Sequence, residues 1–147
     1  MLQQLGYGLA AVRSEVGGLS RSFSYALENE AYRALPAFLQ ERYGIVLSGR
    51  LIRTEVGGEE IDLLGEGVQK GEPVVVVGEA QLRLDERRDS HQEEEVVLSL
   101  LERKVAVVRA AHPGVTLVPV LVTHYAWPSF KEMAQERGVI VVQSFEW

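Results

Sequence analysis

The chain has 147 residues, 46% of them hydrophobic, with mean hydropathy near zero and a formal net charge of −6. That fits one ordinary domain able to bury a core, and it excludes a disordered chain or one built around bilayer-length apolar runs. With no cysteine, disulfides, thiolate zinc sites and a cysteine nucleophile are excluded together, a composition that suits a reducing cytoplasm, and the acidic balance counts against indiscriminate phosphate binding.

Met1-Leu2-Gln3-Gln4 lacks the basic start and apolar stretch of a secretion signal, so none is expected. Leu2, Leu5, Leu9, Val12, Val16 and Leu19 then form an a/d seam within a helical segment over residues 1–21. Gly6, Gly8, Gly17 and Gly18 weaken that helix by about 1 kcal/mol each relative to alanine. The seam either lies on its own domain or pairs two chains into a homodimer. Residues 22–42 predict a second helix, with Leu27, Ala31, Ala34, Leu35 and Phe38 on one stripe. Pro36 predicts a kink or restart in it, and Tyr43-Gly44 its end.

Three strands are expected next, over residues 46–54, 60–65 and 74–82, with turns at Gly57-Gly58 and across residues 65–73. Val74-Val75-Val76-Val77 is apolar on both faces, as a central strand requires. A helix over residues 90–111 carries Val97, Leu101, Val105 and Val108 inward, and Glu93-Glu94-Glu95 near its start suits the helix dipole. His112-Pro113-Gly114 ends it. A strand over 115–122, a helix over 128–137 and a strand over 139–142 complete residues 22–147 as a single domain. The order predicts a mixed sheet with helices on both faces.

Acids interrupt this pattern where apolar residues belong. Glu60 and Asp62 flank Ile61, while Glu79 and Gln81 follow the four valines. Residues two apart share a strand face, so Glu79 and Gln81 lie on one side, and a hairpin brings Asp62 near Glu79. Converging carboxylates repel unless a cation or proton intervenes, and such hard oxygen ligands suit Mg²⁺ or Mn²⁺. Taken alone, the acids also fit a solvated strand end offset by Arg83 or Arg53. His91, His112 and His124 have no zinc-ligand spacing, and neither a phosphate-binding Gly-Lys-Ser/Thr loop nor a Gly-x-Ser-x-Gly turn is present.

The segments Glu28-Asn29-Glu30-Ala31-Tyr32-Arg33-Ala34-Leu35-Pro36, Gly58-Glu59-Glu60-Ile61-Asp62-Leu63-Leu64-Gly65 and Val77-Gly78-Glu79-Ala80-Gln81-Leu82-Arg83-Leu84 resemble, in order and spacing, small archaeal and bacterial proteins of the PD-(D/E)XK nuclease superfamily. The resemblance implies a restriction-endonuclease-like three-layer α/β core with elements in the order α-β-β-β-α-β-α-β. It implies Asp62 as the first acid, Glu79 as the second, and Gln81 in the usual lysine position. An acid of the first helix joins such sites; Glu30 fits best, with Glu28 its rival. The implied activity is metal-dependent hydrolysis of phosphodiesters in nucleic acid, DNA rather than RNA, with Asp62, Glu79 and the Ala80 carbonyl holding the metal. Arg83, Arg87 and Arg88 are the implied phosphate contacts, although Arg87 and Arg88 equally fit a solvated loop. Gln81 departs from the pattern because an amide supplies no positive charge. The alternative is therefore a lapsed nuclease fold serving as a nucleic-acid-binding or oligomerisation module.

Overall fold

A computed structural model describes residues 25–81, 83–84 and 90–147. The seam between Leu2 and Leu19 lies outside the described residues, as do Arg87 and Arg88. Residues 25–43 are helical (α1) straight through Pro36, where a kink or restart was expected. Leu35, Phe38 and Leu39 are buried around the proline, and their burial offsets the one backbone bond it removes.

The predicted first strand is two short ones, β1 (Ile45–Leu47) and β2 (Ile52–Val56), both antiparallel to β3 (Glu59–Gln69). The break follows Ser48, whose amide and hydroxyl both donate to the Glu66 carbonyl, at 2.8 and 3.1 Å, and keep the β1–β3 register one residue past Leu47. The loop expected over residues 65–73 is absent. β3 runs on to Gln69, and a two-residue turn leads into β4 (Glu72–Ala80). Lys70 and Gly71 both take positive φ there, 52° and 79°, the backbone of a type I′ hairpin.

Gly65 and Gly67, which read as turn signals, are strand positions where a neighbour approaches closely. A Cβ on Gly67 would stand 2.5 Å from the Val46 carbonyl oxygen. Gly67→Ala is therefore expected to push β1 off β3 and destabilise the fold by about 1–3 kcal/mol, read as a lower urea midpoint.

After β5 (Arg83–Leu84), α2 (Ser90–Ala111) crosses to β6 (Thr116–Thr123), which pairs parallel with β4. β7 (Tyr125–Ala126) and α3 (Pro128–Glu136) lead to β8 (Ile140–Gln143), parallel to β6, and a final turn over Ser144–Glu146. The sheet order is β1-β3-β4-β6-β8, with β2 also on β3. Val74 and Val76 enter the core beneath α1, while Val75 and Val77 enter the core beneath α2 and α3. The result is three layers, a mixed sheet flanked by helices, matching the endonuclease-like fold that the sequence implies.

β5 pairs with β7 as a separate two-stranded ladder. Its register, Arg83↔Tyr125, keeps the offset of Ala80↔Val122 in the β4–β6 ladder. The gap is spanned by the Gln81 amide, which donates to the Val122 carbonyl at 2.8 Å.

Candidate active site

The acids meet where β3 parts from β4. The β3–β4 ladder ends at Leu63↔Gly78, and one further step sets Asp62 opposite Glu79. There β3 carries an extra residue: Ile52 pairs with Leu64 but Thr54 with Ile61. This bulge reverses the alternation, so Leu63 enters the core beneath α1 and Ile61 the core on the other face. Asp62 lies in the bulge, and its Oδ2 accepts the Ala80 amide at 3.1 Å. A side chain thus takes a backbone donor at the point where the two strands separate. The Tyr32 hydroxyl donates to the Asp62 carbonyl at 2.7 Å and fixes the bulge from α1.

Two cations face these acids. The Lys104 ammonium, on α2, is 2.7 Å from Glu79 Oε1, and both side chains are only 17% exposed. On the other side, Arg53 of β2 gives its Nη1 to both oxygens of buried Glu28, at 2.6 and 2.8 Å. Its Nε reaches Glu60 at 2.6 Å, and Nη1 lies 3.7 Å from Asp62 Oδ1. The Tyr25 ring covers the guanidinium at 5.9 Å.

The cations do not fully offset the crowding. Burial first, then a hydrogen bond that its protonated form donates to Asp62 and the negative charge of Asp62, pushes Glu79 up to about 8 despite Lys104. Burial and the charge of Asp62 push Glu28 up to about 7 despite Arg53. Asp62 thus raises an acid on either side of it, and near neutral pH Glu79 and Glu28 retain protons. A shared proton marks a place where positive charge is wanted.

The structure brings Asp62, Glu79 and the Ala80 main chain together. It sets Glu30 apart: that carboxylate accepts the Trp147 indole N–H at 2.9 Å, and Glu28 is the α1 acid at the site. Glu30→Ala is expected to cost about 1–2 kcal/mol of stability and leave Mg²⁺ affinity unchanged, as calorimetry and denaturation would show. Gln81 is exposed just past the end of β4, so the shared strand face with Glu79 ends before it. Arg83 begins β5. Arg53, one of the two arginines offered as partners of these acids, is in contact with Glu60.

Lys104, Glu28 and Arg53 stand with these acids, and each left a trace in the sequence, Arg53 as the cation offered to offset them. Lys104 is three residues from Leu101 and four from Val108, which places a charge on the border of an apolar face. Glu28 keeps helical spacing with buried Ala31, Leu35 and Leu39, as Glu30 does with buried Leu27 and Phe38.

Among the described residues no three of His, Cys, Asp and Glu form a ready cage for a metal ion. The Asp62–Glu79 pair instead fits a hard cation that keeps most of its waters, as Mg²⁺ does on one or two carboxylates. Among the described residues no helix is long and apolar enough to cross a membrane.

No protein-family model matches the sequence, and no curated protein does. Among solved structures the chain is similar to an XisH family protein from Nostoc punctiforme, at 17% identity and a TM-score of 0.46, over 79% of this chain and 93% of that one. It is similar to an fdxN element excision controlling factor protein from Anabaena variabilis, at 14% identity and a TM-score of 0.48, over 80% and 93%. It also resembles a repair endonuclease from Pyrococcus abyssi, at 18% identity and a TM-score of 0.44, over 78% of this chain but 46% of that one. These are likenesses of fold, and the chemistry of the site rests on the residues of this chain.

Proposed function

We propose that this chain is a metal-dependent nuclease that hydrolyses phosphodiester bonds in nucleic acid, with Asp62 and Glu79 holding Mg²⁺ or Mn²⁺. The observation that carries this reading is the Lys104 ammonium 2.7 Å from Glu79, on the acid that faces Asp62 across the strand split. It restores the positive charge that Gln81 cannot supply, from a helix instead of the strand. A divalent ion bound there supplies charge for the phosphoryl oxygens and a water of lowered pKa. Lys104 stabilises charge developing on the phosphate. Arg53 holds Glu28 and Glu60 in place beside Asp62 and keeps their charge from opposing the substrate. Arg83 and Arg87, which follow the end of β4 in sequence, are the proposed phosphate contacts. DNA is the expected substrate over RNA, and pairing of two copies through the Leu2–Leu19 seam belongs to the same proposal.

The test is Mg²⁺ and Mn²⁺ titration by calorimetry together with cleavage of labelled single-stranded and duplex DNA, wild type beside Asp62→Asn. Binding and cleavage in the wild type, both lost in Asp62→Asn, are expected. Cleavage that persists in chelator or in Asp62→Asn sinks the proposal. Metal binding with no cut product favours the lapsed, nucleic-acid-binding reading, for which the exposed Gln81 in the lysine position speaks.

A further inference from the structure

The carboxyl ends of β6 and β8 carry aromatic side chains that the acid site does not use. Tyr125 is 41% exposed, and Phe145, at 69%, is the most exposed large apolar side chain among the described residues. Tyr125 meets Trp127 edge to face, with 5.9 Å between ring centroids. The two segments are fastened together: His124 Nδ1 bonds Ser144 Oγ at 2.8 Å, and the Ala126 amide donates to Gln143 Oε1 at 3.0 Å. The indole of Trp147 is tied in turn to Glu30 of α1. These rings therefore stand on a braced rim, not on loose ends.

The sheet sets this rim beside the acids. β6 is the parallel neighbour of β4, and Tyr125 pairs with Arg83. Arg83 is four residues past Glu79, about 13 Å of extended chain. Scattered exposed apolar residues need no explanation, but rings gathered at the same sheet end as a hydrolytic site do. Packing does not explain them, since Tyr125 and Phe145 remain open to solvent.

Charge narrows the partner. A chain of net charge −6 is poorly suited to gripping a duplex through its phosphates alone. Stacking on aromatic faces adds affinity that does not come from neutralising phosphates, and it requires bases whose own faces are free. We infer that the Tyr125–Trp127–Phe145 rim stacks unpaired bases and leads a single strand toward Asp62 and Glu79. The substrate class is then single-stranded or frayed nucleic acid in place of intact duplex; this rests on the nuclease reading above.

The test measures binding of the full chain to a fluorescent oligothymidylate and to a duplex, in chelator so that nothing is cut. Tyr125→Ala and Phe145→Ala are each expected to weaken oligothymidylate binding about tenfold, the scale of one lost base stack. Tyr125→Phe should retain affinity, and duplex binding should change little in any variant. Both alanine variants binding oligothymidylate like the wild type would overturn the inference, as would equal losses on duplex and single strand. Cleavage of the same DNAs with Mg²⁺ keeps the two readings apart. If the wild type cuts but the alanine variants bind normally, the rim fails and the nuclease stands. If the alanine variants lose single-strand binding while the wild type never cuts, the rim stands and the nuclease fails.

Discussion

Lys104→Met is expected to lower cleavage about 100-fold or more at saturating Mg²⁺, the scale of losing one group that stabilises transition-state charge. Methionine keeps much of the bulk on α2 while removing the charge 2.7 Å from Glu79. The ammonium also holds the Glu79 carboxyl down, so its loss should weaken Mg²⁺ binding at neutral pH and spare it at higher pH. Gln81→Ala should cost far less, because that side chain is exposed past the end of β4. The informative variant is Lys104→Met combined with Gln81→Lys, which moves the cation back to the strand and should recover part of the rate. Single-turnover cleavage across these variants decides the matter. If Lys104→Met cuts at the wild-type rate with saturating metal, the lysine is only a structural partner of Glu79.

The second large effect is on pH. Glu79 titrates at about 8 in the fold against an ordinary 4.5, and Glu28 at about 7. Between the ordinary value and the raised one the folded chain holds protons that the unfolded chain has released. Stability therefore falls as pH rises through that window; the contribution is fully present below about 4.5 and lost by about 8. In chelator the melting temperature should decline from pH 5 to pH 8.5, and Glu79→Gln, which keeps the shape without a titrating proton, should flatten most of the decline. Mg²⁺ affinity should move the opposite way and rise with pH, because binding expels the shared proton. Calorimetry in two buffers of different ionisation enthalpy would count that proton. A melting temperature that does not fall with pH, or metal binding without proton release, would show that the acids are already ionised.

How much of this was legible in the chain depended on what each residue's position answers to. Val74 to Val77 declared a central strand because burial on both faces leaves no polar position. Asp62 and Glu79 stood out because acids beside buried strand residues need a reason. Residues governed by long-range approach were harder to read. Gly65 and Gly67 resemble turn residues, and only the proximity of Leu51 and Val46 shows why they lack side chains. The end of β1 is held by Glu66, across the sheet, accepting both donors of Ser48. Lys104 lies 25 residues from Glu79 in sequence, and nothing local marks it as the partner of that acid. Glu28 and Glu30 both border the apolar stripe, so spacing does not separate them, and the family order that favoured Glu30 gave way to the contact of Glu28 with Arg53.

The shared offset of the β4–β6 and β5–β7 ladders makes two distant stretches of chain commensurate. Ala80 to Arg83 on one strand spans the same count as Val122 to Tyr125 on the other. One residue inserted into either stretch would slip the outer ladder by a place and exchange the faces of its side chains. An identical insertion in both would preserve the pairing and lengthen the fork. Two loops more than forty residues apart are thus bound to one length, and redesign of the site's outer lip must alter them as a pair.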